Sequence, residues 1–386
     1  MRGRLNNKKR VVFICSGGAV KAAAYHVGVA MALEHNGFRF QGGIDTDQQT
    51  GYQPNPSKTI QVYVGSSAGS LVTTYLAQGG QLKDLLSTFQ SDPKFEGVPG
   101  LKYWEMLHPR IKSPGNLFDS PSFILRMIRE RALPSPFSTE GIVNYLRTHV
   151  LQTEKFSELV ADLFIVATEV NRSRKMIFSR YRSISDDPFS EYRSDVAISD
   201  ACGASMALPP VYHPYPIEIE GKRVDFFDGE IREPLSSHVG RDAGCDLIIC
   251  SYTHQPLNLQ NKKINLAAKG IEQVTLQAIY QSIEQKIQSA RGYRKQEKAL
   301  LDEVARFFDD HELGDRLKDQ LVARLEQRMT YYADVDYIYI HPRPGDHETF
   351  LMPHFSLKRK HTERIVKKGY VSAAVALRNF EKSLEG

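Results

Sequence analysis

The chain has only four cysteines in 386 residues, Cys15, Cys202, Cys245 and Cys250, and no pair stands in C-x-x-C spacing. Their apolar or small-residue surroundings argue against zinc or a disulfide framework and for buried thiols in a reducing compartment. No apolar run is long enough to span a bilayer. The basic residues Arg2, Arg4, Lys8, Lys9 and Arg10 are followed by a short apolar run, Val11 to Cys15, too short for the core of a secretory leader. A cytoplasmic location is therefore expected, with room for peripheral contact with membranes. Charge of one sign is also scarce. A net charge of +5 and a pI near 8.8 are too weak and dispersed to imply a nucleic-acid partner, though compatible with an anionic lipid surface. Neither a metal nor a cofactor is expected, and nothing in the sequence sets an oligomeric state.

What is present is an ordinary globular balance, 41% apolar and 25% charged, sufficient for a sizeable core. The stretch Val62-Tyr63-Val64-Gly65-Ser66-Ser67-Ala68-Gly69-Ser70 is an apolar run that stops in small residues and resumes as Leu71 to Leu76. As strand, tight turn and helix it is the nucleophile-elbow pattern G-x-S-x-G, with Ser67 at the bend. Gly65 and Gly69 flank it because side chains there would meet the neighbouring strand and helix. A bland strand-turn-helix corner is the competing reading.

Upstream, Val11 to Cys15 reads as a strand buried on both faces, followed by the turn Ser16-Gly17-Gly18-Ala19-Val20-Lys21 and a helix from Ala22 to Leu33 that closes at Asn36-Gly37. Such a turn points backbone N–H groups outward at a helix start, which suits a phosphate or an oxyanion equally. The fingerprint G-x-G-x-x-G is absent, so nucleotide binding is the weaker choice.

Further along, Gln41 to Lys58 reads as a polar surface excursion and Leu82 to Phe89 as a helix. The Pro- and Gly-punctuated segment Asp92 to Asn116 carries Tyr103, Trp104, Met106 and Leu107, with Leu117 and Phe118 just beyond. It reads either as a mobile cover that meets lipid or as a cap on the core. Ser138 is placed to cap an amphipathic helix. Asp162 to Thr168, Lys175 to Ser179, Asp246 to Ser251 and Val335 to Ile340 read as strands, Asp195 to Ala207 and Thr362 to Phe380 as helices. Ile217 to Phe227 alternates about Gly221 as a β-hairpin and delivers Asp228-Gly229-Glu230, a second candidate catalytic position, although Asp-Gly is more often a plain turn. Leu276, Ile279, Tyr280, Ile283 and Ile287, then Leu317, Leu321 and Leu325, recur at helical spacing. Packing on their own domain is the default for these helices, with a membrane or a partner as the alternative.

Strand and helix alternate throughout, so the expected fold is a three-layer α/β/α arrangement with a mostly parallel central sheet and additional C-terminal helices. One domain over residues 1–386 is expected: a core at 9–255, a helical extension at about 262–330, and a closing strand and helix at 335–380.

A serine hydroxyl needs a base and oxyanion donors to act as a nucleophile. His254, His341, His347, His354 and His361 are the late histidines a Ser-His-Asp esterase would draw on, and none sits in a small-residue loop that singles it out. The ordered set Ser16 to Lys21, Gly65 to Gly69, Ala204-Ser205-Met206-Ala207-Leu208-Pro209 and Asp228-Gly229 resembles the patatin-like phospholipases, over roughly Val11 to Cys250. The resemblance implies a Ser-Asp dyad, with Ser67 as nucleophile and Asp228 as base, and an oxyanion hole from the amides of Gly17, Gly18 and Ala19. It also implies Lys21 as the basic residue beside that hole. Three positions depart from the family pattern: Ala19 and Ala22 replace glycines, and Glu230 stands where glycine or alanine is common. Ala19 keeps its N–H, so the hole survives provided the turn needs no positive φ there. Glu230 brings a second carboxylate close to Asp228.

The implied activity is a lipid acyl hydrolase of phospholipase A or lysophospholipase type, acting through an acyl-enzyme on a lipid ester. The alternatives are the Ser-His-Asp esterase and a catalytically silent lipid-binding or regulatory protein.

Overall fold

In a computed structural model the chain is described over residues 5–45, 57–90, 98–109, 135–172, 174–185, 187–258, 265–326, 328–329 and 334–383. The first strand, β1 (Val11–Cys15), leads into α1 (Ala19–His35), and the elbow strand β2 (Thr59–Ser66) into α2 (Ala68–Ala77). Then come β3 (Asp162–Glu169), β4 (Lys175–Phe178), β5 (Ser190–Arg193) and α3 (Ile198–Ser205). The hairpin of β6 (Tyr215–Ile219) and β7 (Lys222–Asp228) precedes β8 (Leu247–Ser251), the long α4 (Ile271–Asp310), β9 (Asp336–Ile340) and α5 (Arg359–Ser383).

The sheet runs in the order β9-β8-β1-β2-β3-β7-β6, and its pairs from β9 through β3 are parallel. Antiparallel pairing enters at β3, which meets both β4 and β7. The parallel strands carry continuous apolar runs because helices cover both faces. On one face Val11, Phe13 and Cys15 of β1 join a core with Ala22 and Tyr25 of α1, Val72 of α2 and Ile365 of α5. On the other, Val12 and Ile14 pack with Val239 and with Ile283 and Ile287 of α4. This is the mostly parallel α/β sheet flanked by helices, with C-terminal helices added.

One helix contact depends on glycine at both partners. A Cβ at Gly28 of α1 would lie 1.9 Å from the Val366 carbonyl oxygen, and one at Gly369 of α5 would lie 2.1 Å from that of Tyr25. Without side chains at these points the two backbones touch, so the last helix seals the first against the sheet.

The β6–β7 turn places Glu220 at φ 52° and Gly221 at φ 71°, the two positive values that a right-twisted two-residue hairpin turn requires. The hairpin decides where Asp228 goes. β2 leaves the edge of β3 at Ser66, which pairs with Val166, and β7 continues along β3 with Asp228 opposite Ala167. The end of β7 therefore arrives where the elbow begins.

Several boundaries differ from the sequence reading. The helix expected over Asp195 to Ala207 spans Ile198–Ser205, and the short strand Ser190–Arg193 was not anticipated, since only Tyr192 of its four residues is buried. The helix after Ser138 starts at Glu140, whose N–H donates to the Ser138 hydroxyl at 3.1 Å. Tyr280, Ile283 and Ile287 pack inward, whereas Ile279 of the same helix, and Leu317 and Leu321, are exposed. Lys8 and Arg10 of the basic N-terminal stretch pair with Asp336 and Asp162. Most of the excursion Gln41 to Lys58, and Leu117 and Phe118, lie outside the described residues.

Candidate active site

Ser67 is the residue between β2 and α2, at φ 51° and ψ −131°, a conformation that L-residues avoid. Its surroundings hold it there. The Ser67 N–H donates to the Ser205 hydroxyl at 2.8 Å, and that hydroxyl donates to the Val166 carbonyl at 2.6 Å. The Ser67 carbonyl accepts from the Ser70 N–H and hydroxyl, at 2.9 and 2.6 Å. A Cβ at Gly65 would fall 2.2 Å from the Thr73 hydroxyl, and one at Gly69 would fall 2.1 Å from the Cys15 carbonyl oxygen. The two glycines thus let the helix and the end of β1 close on the bend. Ser205 is a pin that the motif reading quoted without assigning it a task.

Asp228 ends β7 with 1% exposure, and its carboxyl accepts from the Glu230 N–H at 2.9 Å, with the Ser67 hydroxyl close enough to act on its pKa. Burial raises its pKa to about 6, and the Ser67 hydroxyl and the Glu230 N–H oppose the rise. Gly229 has no room for a side chain, since a Cβ would lie 2.2 Å from the Val166 carbonyl oxygen. Glu230 follows with 5% exposure, and burial, then the charge of Asp228, raises its pKa to about 8. The lower value belongs to the carboxyl with the better donors. Glu230 faces the Gly17 and Leu235 amides and the Ser66 hydroxyl, but none of them reaches full hydrogen-bonding geometry with its oxygens.

The glycine turn packs directly on Ser67. A Cβ at Gly17 would lie 2.7 Å from the Ser67 Cβ and 3.2 Å from its Oγ, which places this backbone beside the hydroxyl. Gly18 adopts φ 127° and Ala19 φ 56°. The turn does need a positive φ at Ala19, so the proviso made from the sequence is not met; alanine nevertheless adopts that φ, under a strain that glycine would not carry, and its N–H stays in the turn. The buried His26 braces the turn from behind, with Nε2 at 2.8 Å from the Ser16 carbonyl and Nδ1 at 2.7 Å from the Ser251 hydroxyl. A carbonyl only accepts, so Nε2 carries the proton and Nδ1 accepts from Ser251. Burial lowers the His26 pKa to about 4, keeping the ring neutral.

Beside Ser67 opens an apolar cavity walled by Ala19 and Val20 of α1, Leu71 of α2, and Ile142, Met206 and Tyr212. Its walls run from the elbow past Met106 and Leu101 to Phe355 and Leu357. Met106 of the expected cover segment is buried, whereas Tyr103 and Trp104 beside it are 46% and 64% exposed.

Lys21 does not point into that cavity. Its ammonium end meets Tyr280 at 3.2 Å and His354 at 2.9 Å, and burial lowers its pKa to about 7. Its N–H donates to the His354 carbonyl at 3.1 Å, which ties the segment bearing Phe355 and Leu357 to α1. Of the other late histidines, His254 stands beside the glycine turn, 3.8 Å from Glu230 and with no hydrogen bond at Nδ1, while His341 meets the Pro342 carbonyl and His361 binds Ser356. His26, Ser205, Tyr280 and His354 come to the site from positions that no local motif joins. Among the described residues no group of three or more His, Cys, Asp or Glu could hold a metal ion.

A strained serine at a strand-to-helix bend thus stands beside a buried carboxyl in a mostly parallel α/β sheet. Residues 13–237, more than half of the chain, match the Patatin-like phospholipase family, and the chain belongs to that family. This membership places it among lipid acyl hydrolases. No curated protein matches it.

Proposed function

We propose that the chain cleaves carboxylic esters of lipids, as a phospholipase A or lysophospholipase, with Ser67 as nucleophile and Asp228 as its base. The observation that carries this reading is the placing of a strained Ser67 next to the buried Asp228 carboxyl, whose pKa the Ser67 hydroxyl lowers, at the edge of an apolar cavity. In the first step Ser67 Oγ bonds to the ester carbonyl carbon while its proton passes to Asp228, and the carbonyl oxygen becomes an oxyanion. The amides of Gly17, Gly18 and Ala19 would hold that oxyanion next to Ser67. Collapse breaks the ester C–O bond, and the departing alcohol takes the proton from Asp228. Water then bonds to the acyl carbonyl carbon as its proton passes to Asp228, and when the acyl C–Oγ bond breaks the fatty acid leaves and Asp228 returns the proton to Ser67 Oγ.

An aspartate with a pKa near 6 suits this task, because it is ionised at neutral pH yet more basic than an exposed carboxylate. The apolar cavity suits an acyl chain. Exposed Tyr103 and Trp104, next to cavity-lining Leu101 and Met106, support a membrane-facing entrance. Four buried free thiols fit a cytoplasmic location, and no helix among the described residues is long and apolar enough to cross a membrane.

The test is fluorophosphonate labelling together with hydrolysis of a short-chain p-nitrophenyl ester. Both should be lost in Ser67→Ala, and hydrolysis should be lost in Asp228→Asn, with circular dichroism unchanged. Hydrolysis that is lost in Ser67→Ala, persists in Asp228→Asn and disappears on replacing one late histidine would favour the Ser-His-Asp alternative.

A further inference from the structure

Glu230 is a second carboxyl buried against the site, and the reaction described above does not use it. Its neighbours come from five segments. Asp228 precedes it on its own strand end, Gly17 faces it from the glycine turn, and Ser66 from the elbow strand. The Leu235 amide faces it from the following loop, and His254 Nδ1 lies at 3.8 Å from the segment after β8. None of these is a cation at neutral pH. Burial, with Lys21 and His26 nearby, lowers the His254 pKa to about 3, and Lys21 itself is directed to Tyr280 and His354. Both Glu230 oxygens and His254 Nδ1 are buried without a hydrogen-bond partner. A carboxylate in such a place is poorly solvated and uncompensated, so the group holds its proton.

The geometry ties that proton to the oxyanion site. A Cβ at Gly17 would lie 3.0 Å from Glu230 Cγ and 3.2 Å from Ser67 Oγ, so the glutamate stem and the serine hydroxyl flank the same peptide unit. Building on the assignment of Ser67 and the Gly17 amide made above, we propose that Glu230 is a positioning residue that gates the oxyanion hole. While its carboxyl is protonated, the Gly17 N–H is open to the substrate oxygen. When the proton is lost to solvent, the carboxylate captures that N–H and opposes the negative charge developing on the oxyanion. No bond to carbon is made or broken in this step. Only a proton leaves and one hydrogen bond changes its acceptor.

The experiment is the pH profile of kcat and KM between pH 6 and 10 on a short-chain soluble ester, for wild type and Glu230→Gln. Wild-type kcat should decline above about pH 8, by about tenfold for each further pH unit, with KM little changed. Glu230→Gln cannot ionise, and its kcat should hold within about twofold over the same range. Glu230→Ala carries the same expectation and serves if the glutamine variant does not fold. An alkaline decline identical in the variant, or a folded variant inactive at every pH, would overturn the proposal. The same assays on Ser67→Ala separate the two readings: residual hydrolysis there counts against the nucleophile whatever the Glu230 profile does.

Discussion

The backbone N–H of Ser67 donates to the hydroxyl of Ser205 at 2.8 Å, joining the elbow to the end of α3 across 138 residues of chain. That bond, relayed to the Val166 carbonyl, satisfies a buried donor at a residue whose φ of 51° is unfavourable. Ser205→Ala should destabilise the protein by about 1–3 kcal/mol, the cost of leaving the buried N–H unsatisfied. Because the freed bend no longer aims the hydroxyl, kcat should fall more than KM rises. Chemical denaturation and steady-state kinetics on the same variant check both parts.

Ala19 adopts φ 56° in the turn beside Ser67. An L-residue in that region is disfavoured by about 1–2 kcal/mol, while glycine's greater freedom in the unfolded chain takes back about 0.5–1 kcal/mol. Ala19→Gly should therefore raise stability by up to about 1.5 kcal/mol, without loss of ester hydrolysis. A lower Tm for this variant would contradict the strain assigned to the turn.

Asp228 has a folded pKa near 6 against an ordinary value of 3.8. As the base it must be unprotonated, so activity should rise with pH through about 6. The linkage to stability runs the other way. A folded pKa above the unfolded one means that the folded state binds more protons between those values, so stability falls as pH rises from 3.8 to 6. Asp228→Asn should be inactive and, relative to wild type, more stable at pH 8 than at pH 4. Thermal melts at the two pH values decide this.

Gly369 meets the Tyr25 carbonyl, where a Cβ would sit at 2.1 Å. Backbone cannot yield as a side chain does, so Gly369→Ala must separate α5 from α1. A loss of about 1–3 kcal/mol is expected, measurable as a lower denaturation midpoint. Gly345→Ala, where nothing lies within 4 Å, is the matching control and should be nearly neutral.

Trp104 is 64% exposed, with the Lys102 ammonium 5.2 Å from its ring centre. An aromatic ring beside a cation suits the headgroup layer of an anionic membrane. Trp104→Ala should reduce sedimentation with phosphatidylglycerol-containing vesicles severalfold and leave hydrolysis of a soluble short-chain ester unchanged. Equal sedimentation of variant and wild type would remove this residue from the entrance.

The elements were legible wherever local pattern suffices. Val11–Cys15 is a five-residue apolar run, Thr59–Ser66 ends at the small residues of the elbow, and Gly37 closes the first helix at φ 85°. The pairing of Ser67 with Asp228 came from a family resemblance, because 161 positions separate them and no local rule brings them together. The structure gives the physical route: β2 abandons the edge of β3 at Ser66, and β7 continues along it in the opposite direction.

Sequence alone determined the alternation of buried strands and helices, the small residues around the bend and the absence of any membrane-crossing run, since these depend on side-chain type and spacing along the chain. Tertiary packing alone decided that Ala19 must take a positive φ, that Lys21 turns to Tyr280 and His354, and that Glu230 loses its solvent beside Gly17. Backbone strain, desolvation and hydrogen-bond partners are properties of what surrounds a residue in space, and that surrounding is assembled from segments far apart in the chain.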